Sequence, residues 1–325
     1  MKTEMLKGLD KRLSVAVLGT MTFGDTADEA ESAAMLEAAL DAGITTVDTA
    51  NGYAGGTSEE ILGRLLRTRF DDVLLATKAG MPHPDAGQHS PLSSRGLRSS
   101  LEGSLRRLGT DSIDLFYLHQ PDRAVSLAET LGTVAELVAE GKIRVLGVSN
   151  FASWQISELN IAADRAGAPR PIVAQQLYNL IARRIEEEYT EFAHVTGLHT
   201  MVYNPLGGGL LTGRHSFDST PDNGRFSNSR LAGMYRERYW DQRLFDAVSE
   251  LSSIADSAEM SLVELSFRWL LSQPVTGSIL FGGSKPAQLA GNLKILERGP
   301  LSPDILEACD TVGMALRGPM PSYNR

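Results

Sequence analysis

The stretch DEAESAAMLEAALDAGITTVDTA, residues 28–50, passes from a helical pattern to a strand pattern across a single glycine. Ala30, Ala33, Ala34, Leu36, Ala38 and Leu40 supply an apolar side to the helical part, and Gly43 stops it. The run from Thr45 to Thr49 that follows is short, β-branched and apolar enough to be a strand buried on both faces. A helix feeding such a strand is half of a βα repeat, so the question is how often the pattern recurs.

On both sides it recurs to the ends of the chain. Strand candidates run from Leu13 to Leu18, Thr45 to Thr49, Asp72 to Thr77, Ile113 to His119, Arg144 to Val148, Val173 to Leu177, His199 to Tyr203 and Gly277 to Phe281. Helical stretches such as SLAETLGTVAELVAEGK, closed by Gly141, and SWQISELNIAADRAG, closed by Gly167, lie between them. Alternation of this kind is the signature of βα units around a parallel sheet. Eight pairs with no Pro/Gly/Ser-rich linker predict an α/β fold made of one closed (β/α)8 TIM barrel over residues 1–325, rather than two dinucleotide-binding halves. Two segments break the rhythm: 207–239, rich in Gly, Arg, Asn and Ser, and the tail 300–325. The first falls after the seventh strand, so loop and tail are expected over the face where barrel active sites are built.

Composition narrows the function classes. With 325 residues, 42% hydrophobic and 22% charged, the chain is neither disordered nor a disulfide scaffold. Lys and Arg number 31 against 40 Asp and Glu, and the net charge of −9 disfavours nucleic acid or an anionic membrane as the main partner. The one cysteine, Cys309, has no partner for an internal disulfide, and no Cys/His cluster has zinc-ligand spacing, so no metal is expected. The opening MKTEMLKGLDKRLSVAVLGT is too charged for a secretory signal, and no apolar run could span a bilayer. A soluble, unprocessed, cytoplasmic protein acting on a small molecule is expected, with a homo-oligomer left open.

Polar residues at the C-terminal ends of barrel strands are where chemistry is expected. TTVDTA ends on Asp48, VLLATK on Lys78 and DLFYLH on His119, and Tyr53 follows Asp48 in the next loop. A lone strand-end charge is commonly just solvated, but three consecutive strands ending this way form a pattern. A tyrosine, with an ordinary pKa of about 10, is a poor acid near neutrality unless a cation stabilises its phenolate. Lys78 can supply that cation, Asp48 can keep Lys78 charged and oriented, and His119 can donate a hydrogen bond to a carbonyl oxygen and help pass the proton. The set suits protonation of an oxygen as hydride reaches the adjoining carbon.

A hydride source needs a dinucleotide site, yet no G-x-G-x-x-G follows a strand. The run Gly208 to Gly213, followed by Arg214 and His215, fails the Lys and Ser/Thr positions of a phosphate loop. After the eighth strand, ILFGGSKPAQLAGNLKIL reads as strand, Gly-rich turn and a helix entered at Pro286. Its N-terminus, with Ser284 and Lys285, is a ready phosphate site.

These residues resemble the aldo-keto reductases over essentially the whole chain. The matching stretches are DTANGYAGGTSEEILG at 48–63, LATKAG at 75–80, DLFYLHQPD at 114–122, GVSNF at 147–151, QQLYN at 175–179, YNPLGGGLLTGR at 203–214 and GGSKPAQLAGN at 282–292. GRFSN at 224–228, MYRERYW at 234–240 and the closing PSYNR look most like the aflatoxin-aldehyde and succinic-semialdehyde reductase branch. The resemblance implies NADPH-dependent reduction of an aldehyde or ketone, with Tyr53 as proton donor, Lys78 and Asp48 tuning it, and His119 orienting the carbonyl. It implies that Ser149, Asn150 and Gln175 hold the carboxamide beside Asp48 and that Tyr203 stacks on the nicotinamide. It further implies that Asn204, Leu206, Gly208 and Arg214 line the pyrophosphate, and that Gly282, Ser284, Gln288 and Asn292 bind the adenosine end, with Ser284 and Lys285 suited to a 2′-phosphate. Gln288 departs from the Arg that many relatives carry there. Arg225 and Arg325 match arginines that bind a substrate carboxylate in the related branch, and Tyr235 is expected to help wall the substrate pocket. Two other readings stand beside this one: a ketoreductase of the same family working on a keto-sugar or biosynthetic intermediate, and an NADPH-binding regulatory subunit with little turnover.

Overall fold

The alternation of apolar runs and helices becomes, in the computed structural model, a closed barrel of eight strands. A small antiparallel hairpin, β1 (Thr3–Glu4) and β2 (Leu13–Ser14), comes first. The barrel strands follow as β3 (Ala16–Gly19), β4 (Thr46–Asp48), β5 (Leu74–Ala79), β6 (Ile113–Leu118), β7 (Ile143–Ser149), β8 (Val173–Leu177), β9 (His199–Tyr203) and β10 (Ser278–Phe281). They pair in sequence order, and β10 closes on β3 in parallel, so the fold is a (β/α)8 TIM barrel. Residues 1–219, 221–222, 224–227, 229–283 and 285–319 are described.

The chain divides into two compact units. The first comprises Met1–Gln176, Glu186–Tyr203 and Gly277–Ala290, and carries the barrel with α1 (Glu29–Asp41), α2 (Thr57–Leu66), α3 (Ser94–Leu108), α4 (Leu127–Ala139), α5 (Ser153–Ala166) and α6 (Tyr189–Thr196). Val17, Leu74, Ala76, Leu115, Tyr117, Val145, Val173 and Met201 form its inner core, joined by Leu9 and Leu13 from the hairpin. The second unit comprises Leu177–Ile185, Asn204–Thr276 and the residues from 291 onward. It holds α7 (Ala232–Tyr239), α8 (Gln242–Ser257), α9 (Leu262–Ser272) and α11 (Pro303–Arg317), while α10 (Pro286–Ile295) runs along the chain from the first unit into the second. Within that unit Trp269 is fully buried, with the Arg183 guanidinium 4.8 Å from its ring centre.

The structure corrects three local expectations. The run from Leu13 to Leu18 is not one strand: Leu13 and Ser14 pair with Glu4 and Thr3, and the barrel strand begins at Ala16. The Ser14 hydroxyl donates to the Ala16 carbonyl at 2.5 Å, a local side-chain bond that turns the chain between the two pieces. In α1 the buried stripe is Ser32, Met35, Leu36 and Ala39, whereas Ala30 and Ala34 are exposed. Ser32 can be buried because its hydroxyl is satisfied by the Asp28 carbonyl at 2.6 Å, which a hydrophobicity pattern does not register. The segment 207–239 also contains regular structure, a 3-10 turn at Gly207–Thr212 and α7. Among the described residues, no helix is long and apolar enough to cross a membrane.

Candidate active site

Strand parity delivers the first two functional groups. Leu74 and Ala76 face the barrel core, so Lys78, four and two residues on, faces the same way. Register sets Asp48 beside Ala76 and Tyr117 beside Lys78, so all three side chains share the inward face within two residues of one another. Lys78 and Asp48 are wholly buried and form an ion pair. The Lys78 ammonium also donates to the Thr49 carbonyl at 2.8 Å and to the Tyr53 phenol oxygen at 3.2 Å. Its three hydrogens therefore match three acceptors. The other Asp48 oxygen accepts from the Gln175 amide at 3.0 Å.

Tyr53 reaches Lys78 through an unusual turn. The Tyr53 amide closes on the Ala50 carbonyl at 3.1 Å, and Ala54, Gly55 and Gly56 then take φ of 48°, 66° and 100°. Three consecutive left-handed residues reverse the chain tightly, and two of them are glycines, for which this region carries no steric penalty. The helix that follows is fastened at Ser58, whose hydroxyl lies 2.8 Å from the Thr20 hydroxyl and 3.1 Å from that of Thr49, at the ends of β3 and β4.

His119 follows β6 directly, its amide bonded to the Ala79 carbonyl at 2.8 Å and its ring edge-on to Tyr53 with centroids 6.1 Å apart. Burial, assisted by the Lys78 ammonium, lowers its pKa to about 3. At neutral pH the imidazole is therefore uncharged and serves as a hydrogen-bonding group rather than a cationic acid. Burial alone would lower the Lys78 pKa, but Asp48 and Tyr53 outweigh it and the net direction is upward, so the ammonium stays charged. Burial raises the Asp48 carboxyl, opposed by Lys78 and Gln175. Tyr117, sealed inside the barrel, is pushed well above the ordinary phenol range by burial first and by Asp48 second, so its phenol holds its proton.

Next to this quartet, Asn150 adopts a left-handed φ of 63°. Its amide nitrogen donates to the His119 carbonyl at 2.9 Å and to the Ser149 hydroxyl at 3.1 Å, and its oxygen accepts from the Tyr203 hydroxyl at 2.7 Å. Ser149, as acceptor from Asn150, retains a hydroxyl hydrogen for an external carbonyl, and the Tyr203 ring is tethered by its hydroxyl. This donor set fits the carboxamide and ring of a nicotinamide. Pro286 opens α10 as expected, but the Lys285 ammonium engages Glu31 at the start of α1, and Gln288 is exposed. Gly282 is half-buried in the turn before that helix. Ser284 and Arg325 lie outside the described residues.

Within the second unit, the Asn204 oxygen accepts from the Gly208 amide at 2.7 Å and its nitrogen donates to the Tyr239 hydroxyl at 2.8 Å. Arg225 donates to the Tyr235 hydroxyl at 3.1 Å. Leu206, Arg214 and Asn292 also belong to this unit. Strand-end reading missed Tyr117 and the Thr49 carbonyl. The signal for Tyr117 was present, since it stands two residues before His119, on the same face of the strand by parity; a backbone carbonyl leaves no signal.

The sequence model of the Aldo/keto reductase family matches residues 16–313. The chain belongs to the aldo/keto reductase family. As a member it is an oxidoreductase acting on carbonyl groups, in a family that generally uses nicotinamide cofactors. It is 36% identical over 324 residues to aflatoxin B1 aldehyde reductase member 2 of Rattus norvegicus, covering 95% of this chain and 87% of that one. It is also 32% identical over 300 residues to a probable voltage-gated potassium channel subunit beta of Oryza sativa subsp. japonica, covering 90% of each. The solved glycerol dehydrogenase of Gluconobacter oxydans is similar with a TM-score of 0.80 and 29% identity, over 99% of this chain and 98% of that one.

Proposed function

We propose that this reductase converts an aldehyde or ketone to its alcohol with NADPH as reductant and Tyr53 as general acid. The observation that carries the proposal is the buried Lys78 ammonium, held by Asp48 and donating to the Tyr53 oxygen at 3.2 Å. When Tyr53 gives its proton to the substrate oxygen, the charge left on the phenol lies beside a fixed cation. A nicotinamide, when bound, supplies the hydride. Ser149 orients the carboxamide, Tyr203 offers its ring as a stacking face, and the neutral His119 donates a hydrogen bond that aligns the carbonyl. The Lys285 ammonium, one residue before α10, is paired with Glu31, and exchanging that carboxylate for a 2′-phosphate would favour NADPH over NADH.

Tyr53→Phe keeps the ring but removes the proton, so kcat for small aldehydes is expected to fall by about 10²–10⁴ while the Kd for NADPH, read by fluorescence quenching, stays at the wild-type value. Normal carbonyl-reducing turnover in this variant would sink the assignment. In the wild type, single-turnover oxidation of bound NADPH far slower than its release would instead favour a regulatory role of the kind that the similarity to a channel subunit suggests.

A further inference from the structure

We propose that Glu59 and Arg107 are positioning residues that set the Tyr53–Lys78 distance from outside the barrel wall. The inference rests on reading Tyr53 and Lys78 as the proton-donating pair. Those two groups ride on different elements: Lys78 on β5, and Tyr53 on the left-handed turn that leads into α2. Beyond their own hydrogen bond, something must hold the two elements in register.

The link is a buried chain of polar side chains on the outer side of β5. Thr77 precedes Lys78 and, by strand parity, faces away from the barrel interior. Its hydroxyl donates to one Glu59 oxygen at 2.6 Å, in the first turn of α2. The other Glu59 oxygen accepts from Arg107 Nε at 2.8 Å, and Arg107 Nη2 donates to Asp85 at 2.7 Å. Glu59 is wholly buried, and the Arg107 side chain is 15% exposed. The same arginine lies against the tyrosine turn: a Cβ on Gly56 would come within 2.9 Å of Arg107 Cδ. Thus one guanidinium covers the last left-handed residue of the turn and neutralises the carboxylate that ties α2 to the strand bearing Lys78. Neither residue can donate to or accept from substrate, since both act on the far side of the wall. A lysine at 107 could not serve both carboxylates in the fork geometry of arginine.

Loss of this clamp lets the turn move relative to β5, and displacements near 1 Å in such a pair can cost about a hundredfold in rate. The experiment compares Arg107→Met, Arg107→Lys and Glu59→Gln with wild type, and with Arg98→Met, which removes exposed ion pairs from the same helix to Glu136 and Glu140. Arg107→Met is expected to lower kcat by about 10- to 100-fold with the cofactor Kd unchanged, Arg107→Lys to fall between, and Arg98→Met to match wild type. The decisive readout is the alkaline limb of kcat, together with Tyr53 ionisation by ultraviolet difference titration against Tyr53→Phe. Lys78, Asp48, His119 and Tyr117 are the titratable groups around Tyr53, and all are unaltered in every variant. A loosened Tyr53–Lys78 contact raises the Tyr53 midpoint in both Arg107→Met and Glu59→Gln. Through-space electrostatics alone would move them in opposite directions, because one variant removes a cation and the other an anion. Opposite shifts, or wild-type midpoints in folded variants, overturn the proposal. If Arg107→Met does not fold, Arg107→Lys carries the same expected direction with smaller size. If the wild type reduces no carbonyl, the proposed function fails, and the titration still decides the positioning role.

Discussion

At the residue scale, the site works because burial disfavours the charged form of both basic groups and their neighbours decide the outcome differently. Lys78 is kept charged by Asp48 and Tyr53, whereas His119, with Lys78 beside it and no carboxylate partner among the described residues, is driven neutral with a pKa of about 3. That neutrality links to stability. The unfolded chain takes up the His119 proton below about pH 6.5, and the folded chain refuses it until about pH 3. Acid therefore favours unfolding through that window. Urea unfolding at stepped pH should show stability declining on the order of a few kcal/mol from this source, with a shallower decline in His119→Gln. An equal slope in the variant would mean that His119 is not buried in its neutral form. Asp48, Tyr53, Lys78 and His119 were legible in the sequence because each stands at or just past the end of an apolar strand. The Thr49 carbonyl that takes one Lys78 hydrogen was not, because every residue carries the same backbone group.

At the scale of elements, α2 matters as much as the strands. Its Gly63 lies against the end of α3: a Cβ there would stand 2.5 Å from the Leu108 carbonyl oxygen and 2.6 Å from that of Arg107. Two backbones this close leave no room for a methyl group. Gly63→Ala is expected to cost about 1–3 kcal/mol in thermal or urea unfolding. Because Glu59 lies one turn earlier on the same helix, kcat should fall as well, and a loss of stability with unchanged kcat would show that α2 can shift without disturbing Tyr53. Element type was read well where periodicity was strong, as in α4, entered at Ser126 and followed by Gly141. It was read poorly in α1, where alanines are too small and too widely spread round the helix to mark its buried side: Ala30 and Ala34 are exposed, and a satisfied serine joined the buried stripe.

At the scale of the whole molecule, the hairpin at the N-terminal end of the strands completes the core without touching the chemistry. Leu9 joins the barrel cluster with Leu13, and Leu9→Ala should lower stability by about 2–5 kcal/mol while leaving KM and kcat in place at temperatures where the variant is folded. An altered kcat would indicate strain carried along the strands to the rim. By itself, the sequence determined the eight-strand order, the barrel and the level at which Asp48, Lys78 and His119 stand, because strand parity and the βα repeat are local properties repeated along the chain. Only the tertiary structure decided that Glu59 meets Arg107, 48 positions away, over a glycine in the tyrosine turn. The reason is physical: a period of two says which side of a wall a residue faces, but which distant charge it meets there depends on how helices pack, and no local pattern encodes that.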